Sequence, residues 1–170
     1  MKILDLCSGT GSATKAFKDR GHVIVTVDVV PPADILSDVR LLDRKMGKEF
    51  DVVWASPPCQ EFSVWNHPFH TECRKLNPDL SIVHACMMIG SNAPIFILEN
   101  VQALQFWLGA SKYHAGPYHL WFDVPKIPKI KVDYHKREHW QTPEQRAMIP
   151  YELSEALCVA IEQSDIGGRR

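Results

Sequence analysis

Apolar and polar positions come in blocks along the first hundred residues, and the blocks alternate between strand-like and helical spacing. Lys2 to Leu6 is a short apolar run ending in Asp5-Leu6, and Cys7 to Ser12 is built of small residues. From Ser12 to Asp19 the apolar positions Ala13, Ala16 and Phe17 share one side of a helix. His22 to Asp28 is a β-branched run closed by an acid, and Phe50 to Ala55 is a third strand stopped by Ser56-Pro57-Pro58. Asp79 to Ile89 returns to helical spacing, with Leu80, Val83, Ala85 and Met87 facing inward, and Pro94 to Leu98 is a fourth strand. Strands separated by helices predict right-handed crossovers and a doubly wound, mostly parallel α/β sheet.

Beyond residue 110 the pattern loosens. Tyr118 to Val124 reads as a strand, Pro125 to Lys136 as a Pro/Lys-rich connection and Glu144 to Met148 as a short helical turn. A last helix is predicted from Tyr151 to Gln163, with Leu153, Ala156, Leu157, Ala160 and Ile161 as its apolar stripe, before a frayed tail at Gly167 to Arg170. We expect one domain over residues 1–170: a core at 1–110, a connection at 111–148 and a closing helix at 149–164.

Composition narrows the class. The 170 residues suffice for one buried core, and 45% hydrophobic with 23% charged residues excludes disorder and fibrous structure. No apolar run reaches the roughly 18 residues of a membrane span, and Asp5 and Ser8 interrupt the N-terminus too early for a signal peptide. The five cysteines (Cys7, Cys59, Cys73, Cys86, Cys158) have no paired short spacing and read as reduced thiols of a cytoplasmic protein. A net charge of −1 excludes a strongly basic nucleic-acid surface, although Lys126, Lys129, Lys131, Lys136 and Arg137 form a local basic stretch. His67, His70 and Cys73 have metal-like spacing but lack a fourth ligand, so no metal is expected. Of the tryptophans, Trp65 comes close behind the segment discussed below; Trp54, Trp107, Trp121 and Trp140 are expected in the core.

In an open parallel sheet, ligands bind at the carboxyl ends of the strands. The first such end carries Asp5, Cys7, Ser8, Gly9 and Gly11, where glycines let the backbone approach a ligand closely. Asp28 ends the second strand in position to bond ribose hydroxyls, and Asp38 follows where it can accept from an exocyclic amine. This pattern points to an adenosine-containing ligand. Thr14 stands where a dinucleotide fingerprint wants its third glycine, which disfavours a dinucleotide-dependent reductase.

Two further segments sit after strands and reach the same rim: Ser56-Pro57-Pro58-Cys59-Gln60-Glu61-Phe62-Ser63 and Leu98-Glu99-Asn100-Val101. Together they resemble the P-C-Q-x-F-S and E-N-V motifs of the DNA cytosine C5-methyltransferases. The likeness covers residues 1–101, with the helix near Pro150 to Ile161 similar to that family's closing element. The resemblance implies a methyltransferase (Rossmann-like) fold, S-adenosylmethionine as cofactor and DNA as partner. It makes Cys59 the nucleophile that adds to cytosine C6 and Glu99 the acid partner at N3 and the exocyclic amine. It assigns Asp28 to the cofactor ribose, Asp38 to the adenine amine, and Pro58 with the loop at Asp5, Cys7, Ser8, Gly9 and Gly11 to cofactor packing. Gln60, Ser63, Asn100 and either Arg137 or Arg146 are the substrate-binding candidates.

The chain departs from the family in three places. Trp107 to Met148 is too short for a large target-recognition domain, the Q-x-R-x-R motif is missing in that form, and the glycine loop reads Cys7-Ser8-Gly9-Thr10-Gly11-Ser12 instead of F-A-G-x-G-G. Such a chain resembles compact phage and prophage members acting in a bacterial cytoplasm, alone, as a homo-oligomer or with a recognition subunit. Other readings keep the chemistry on a free nucleotide, RNA or single-stranded DNA, or make the chain a non-catalytic regulator of a methylase or restriction system. The Ser56-Pro57-Pro58 turn is also similar to the loop of amino-methyltransferases, but Cys59 stands where those carry an aromatic.

Overall fold

The computed structural model describes residues 1–62, 78–132 and 147–164. Seven strands form one sheet: β1 (Lys2–Leu6), β2 (Val23–Asp28), β3 (Ile35–Leu36), β4 (Val52–Ala55), β5 (Ile95–Asn100), β6 (Tyr113–Ala115) and β7 (Tyr118–Phe122). Their order is β3-β2-β1-β4-β5-β7-β6, with β7 antiparallel to β5 and β6 and the remaining pairs parallel. The doubly wound, mostly parallel α/β architecture expected from the alternating blocks is therefore present. Strand order reverses between β1 and β4, which places a crevice at their carboxyl ends.

Strand parity divides the core. Ile3, Val52, Trp54, Ile95 and Ile97 face α1 (Lys15–Asp19) and α4 (Tyr151–Glu162). Leu4, Leu6, Val53, Ala55, Phe96 and Leu98 face α2 (Ser81–Gly90) and Leu104, beside the short α3 (Gln105–Leu108). Both faces are covered, which is why these strands read as continuous apolar runs.

Several boundaries differ from expectation. Helix α1 starts at Lys15 rather than Ser12 because the preceding side chains are used elsewhere: Thr14 Oγ1 donates to Asp5 at 2.6 Å, and Ser12 Oγ accepts from the Ile149 amide at 3.0 Å. Strand β5 runs on through Glu99 and Asn100 because β7 pairs with it there, Glu99 opposite Leu120 and Asn100 opposite His119. The inward face of α2 is Val83, Cys86, Ile89 and Gly90, while Leu80, Ala85 and Met87 are only half-buried. On α4, Ser154 and Cys158 are buried where Ala156 and Ala160 were expected; Ser154 turns inward because its hydroxyl bonds the backbone of Ala13 and Ala16. Strands β3 and β6, of two and three residues, carry no periodic signal in the sequence. Trp54 and Trp121 are in the core, Trp107 is half-buried, and Trp65 and Trp140 lie outside the described residues, as do the turn at 144–146 and the tail. No described helix is long and apolar enough to cross a membrane.

Candidate functional site

The rim is assembled by backbone continuations of the strands. The Ser8 amide donates to Val27 O at 3.1 Å, the Ser56 amide to Leu6 O at 3.0 Å and the Ser37 amide to Asp28 O at 2.9 Å. The segments after β1, β2 and β4 therefore leave the sheet side by side. The glycine loop turns through positive φ at Cys7 (57°), Gly9 (52°) and Gly11 (71°), and the Gly11 amide closes it onto Ser8 O at 2.8 Å. A side chain added at Gly9 or Gly11 would meet no atom of the described residues within 4 Å, so the loop presents an open face toward them.

Asp28 is fastened to this loop: Oδ2 accepts from the Gly9 amide at 2.9 Å and Oδ1 from the Val30 amide at 3.1 Å. Each oxygen keeps an acceptor site for a ligand. Asp38 is more heavily occupied. Its carboxylate takes the Arg40 amide at 2.9 Å and the Arg40 guanidinium at 2.5 to 3.1 Å, and that hydrogen bonding holds it down at about 2. An incoming amine would have to displace the guanidinium. Asp5 is fully buried beneath the loop, where desolvation pushes its carboxyl up to about 7 against the opposing bond from Thr14. Its Oδ1, and Oγ of the buried Ser8, have no hydrogen-bond partner among the described residues.

The nucleophile candidate lies on the next loop. Cys59 is half-buried, Pro58 and Gln60 are exposed, and the Phe62 amide returns to Cys59 O at 2.9 Å. The Phe62 ring is 4% exposed and packs on Trp107 at 5.5 Å between centroids, anchoring the loop's far end. Its near end is tied by Asn100, whose Nδ2 donates to Pro57 O at 2.8 Å. Asn100 is 2% exposed and its Oδ1 also accepts from the Val101 amide, so it braces the two motif loops. Glu99 precedes it on β5, and burial pushes its carboxyl up to about 7, with a hydrogen bond from Ser56 pulling the other way. Ser63, Arg137 and Arg146 lie outside the described residues, as do His67, His70 and Cys73.

Helix α4 closes the glycine-loop side of the sheet. Ser154 Oγ donates to Ala13 O at 2.7 Å and accepts from the Ala16 amide at 3.2 Å, which docks α4 onto α1 and the residues leading into it. Its other end carries a group that sequence spacing could not reveal. His22 Nε2 meets Glu162 at 2.8 Å across 140 residues, and the His22, Cys158 and Glu162 donor atoms lie within 4.8 Å of one another. Arg20 already holds Glu162 at 2.6 Å, and the group sits at the amino ends of the strands, away from the rim. Cys7, Cys59, Cys86 and Cys158 form no disulfide, and the Cys7 side chain hydrogen-bonds Cys86 of α2. Lys126, Lys129 and Lys131 are exposed.

Comparison with known proteins adds an identity to this geometry. A viral protein of Frog virus 3 (isolate Goorha), described as "Probable DNA (cytosine-5)-methyltransferase", is 51% identical over 67 residues, covering 37% of this chain and 31% of the relative. Entamoeba histolytica methyltransferase EhMeth superposes with a TM-score of 0.47 at 16% identity, over 64% of this chain and 40% of that one. Spodoptera frugiperda DNMT2 superposes with a TM-score of 0.41 at 24% identity, over 62% and 37%. The chain thus spans about a third of the length of these relatives. The model of the C-5 cytosine-specific DNA methylases matches residues 1–106, well over half of the chain, and the chain belongs to that family.

Proposed function

We propose that this chain transfers a methyl group from S-adenosylmethionine to C5 of cytosine in DNA, through a covalent adduct at Cys59. The observation that carries the reading is the joining of two loops: Asn100 bonds Pro57 O at 2.8 Å, so the Cys59 loop and the Glu99 strand end are held as one unit. The glycine loop fits the cofactor. Among the described residues it offers open space at Gly9 and Gly11 and two buried oxygens without partners, Asp5 Oδ1 and Ser8 Oγ, which a polar ligand would complete. Asp28 would hold the ribose, Asp38 the adenine amine once Arg40 swings aside, and Pro58 with Cys7 to Gly11 the remainder. When bound, S-adenosylmethionine would supply an electrophilic methyl group on a positively charged sulfur.

The chain's own residues make cytosine able to take that group. A target base within a duplex must first be flipped out of the stack. Cys59 adds as thiolate to C6, and the displaced electron pair makes C5 an enamine carbon. Glu99, near pKa 7 and so partly protonated at neutral pH, shares its proton with N3 as negative charge develops there. Loss of the C5 proton then expels Cys59 and restores the ring. The short connection at 111–148 favours a compact phage- or prophage-type member whose sequence recognition comes from another subunit.

The test is transfer of radiolabelled methyl to cytosine-containing DNA by the wild type and by Cys59→Ala. Label recovered as 5-methylcytosine and lost in the variant is expected. Label persisting with Cys59→Ala would sink the covalent route. A net charge of −1 favours a second reading, the same chemistry on single-stranded DNA, RNA or a free nucleotide; label appearing there and not on duplex selects it.

A further inference from the structure

We propose that Ser56, oriented by the Trp54 indole, is a positioning residue for the Glu99 carboxyl. The inference rests on the reading of Glu99 as the acid partner of Cys59 and adds residues outside the motif pair. Strand register supplies the geometry. On the parallel pair β4 and β5, Trp54 lies opposite Ile97 and Ala55 opposite Leu98, so Ser56 follows directly beside Glu99. Trp54 and Ile97 both belong to the α1/α4 core, and side chains two positions on return to that face. Ser56 and Glu99 thus stand together at its upper edge.

Trp54 explains why a hydroxyl is needed. Its ring is 0% exposed in an apolar layer, and a buried indole N–H requires an acceptor. Trp54 Nε1 donates to Ser56 Oγ at 2.9 Å. A serine hydroxyl has a single proton, and with the indole taking a lone pair that proton is left to bond Glu99. The carboxyl's orientation at the rim is therefore set from inside the core by a two-bond relay. Among the described residues, burial and Ser56 are the influences on Glu99. The titratable groups of the flanking elements, again among the described residues, are Asp5 on β1, Cys59 after β4, and Tyr118 and His119 on β7.

The experiment reads Glu99 directly in the ligand-free protein, by carboxyl carbon-13 NMR titration with the resonance assigned through Glu99→Gln. Wild-type Glu99 should titrate near 7. Ser56→Ala removes a donor that favours the charged form, so the midpoint moves up by about one pH unit, and Trp54→Phe moves it in the same direction by freeing the hydroxyl to turn away. Ser56→Thr, which keeps the hydroxyl, should restore the wild-type midpoint. Ser56 is only half-buried, so Ser56→Ala serves if Trp54→Phe fails to fold. In methyl-transfer assays the alkaline limb of kcat should move with the midpoint while KM for DNA stays. A Glu99 midpoint unchanged in Ser56→Ala would overturn the proposal. The titration needs no substrate, so an absence of methyl transfer would remove the functional reading and leave the relay standing.

Discussion

Asn100 spans the gap between the two motif loops, giving Nδ2 to Pro57 O at 2.8 Å and taking the Val101 amide on Oδ1 at 2.9 Å. Both ends of the amide are satisfied in a position 2% exposed to solvent. Asn100→Leu would leave two backbone groups unpaired and should lower the unfolding free energy by about 2 kcal/mol. Urea unfolding checks it. A residue serving only the substrate would leave the unfolding midpoint in place and raise KM instead.

Asp5 makes stability fall as pH rises. Burial pushes its folded pKa from 3.8 up to about 7, so between about pH 4 and pH 7 the unfolded chain has released a proton that the folded chain retains. The folded state then binds more protons, and unfolding free energy declines with pH through that window. The shift corresponds to roughly 4 kcal/mol lost by neutral pH, none of it lost below pH 4. Asp5→Asn keeps an acceptor for Thr14 and removes the titration. Its unfolding free energy should be flatter from pH 4 to 7 and should exceed that of the wild type at pH 8.

Arg40 competes for the position that Asp38 would offer to an adenine amine. The guanidinium lies on both carboxylate oxygens. Arg40→Met should therefore tighten S-adenosylmethionine binding several-fold in calorimetry, and Asp38→Asn should weaken it. The pair is solvent-exposed, so unfolding midpoints should change little. Binding unchanged in both variants would show that the adenine amine does not meet Asp38.

The parallel core was legible because β1, β4 and β5 are apolar enough to be buried on both faces, and the two motifs were legible because the Cys59 segment comes after β4 and the Glu99 segment closes β5. Long-range pairings were not. That Glu99 and Asn100 lie within β5 depends on β7, and nothing in residues 95–100 announces a partner from residues 118–122. Asn100 was a substrate candidate through the resemblance of its motif, and only the fold shows that its side chain reaches Pro57 O. The role of Ser56 needed the register of β4 against β5 together with the burial of Trp54. The occupation of Asp38 by Arg40, two residues away, was in reach of the sequence, since Asp-x-Arg invites a local bond.

Two glycines separate ligand space from packing space. Gly90 is buried at the end of α2, and a Cβ there would stand 2.2 Å from Phe96 Cδ2, inside the ring of a residue that is itself 3% exposed. Helix and strand must part to admit it, so Gly90→Ala should cost about 1–3 kcal/mol or more in urea unfolding. Gly9 is the opposite case. Its φ of +52° strains any other residue, at about 1 kcal/mol for alanine, yet its Cβ would meet nothing within 4 Å. That empty volume is what the proposed cofactor would fill. Gly9→Ala should therefore be only mildly destabilised and lose at least tenfold in S-adenosylmethionine affinity by calorimetry, while Gly90→Ala, measured where it is still folded, should bind as the wild type does. Equal affinity for Gly9→Ala and wild type would mean that the glycine loop does not touch the cofactor, and the assignment of Cys7 to Gly11 would fall with it.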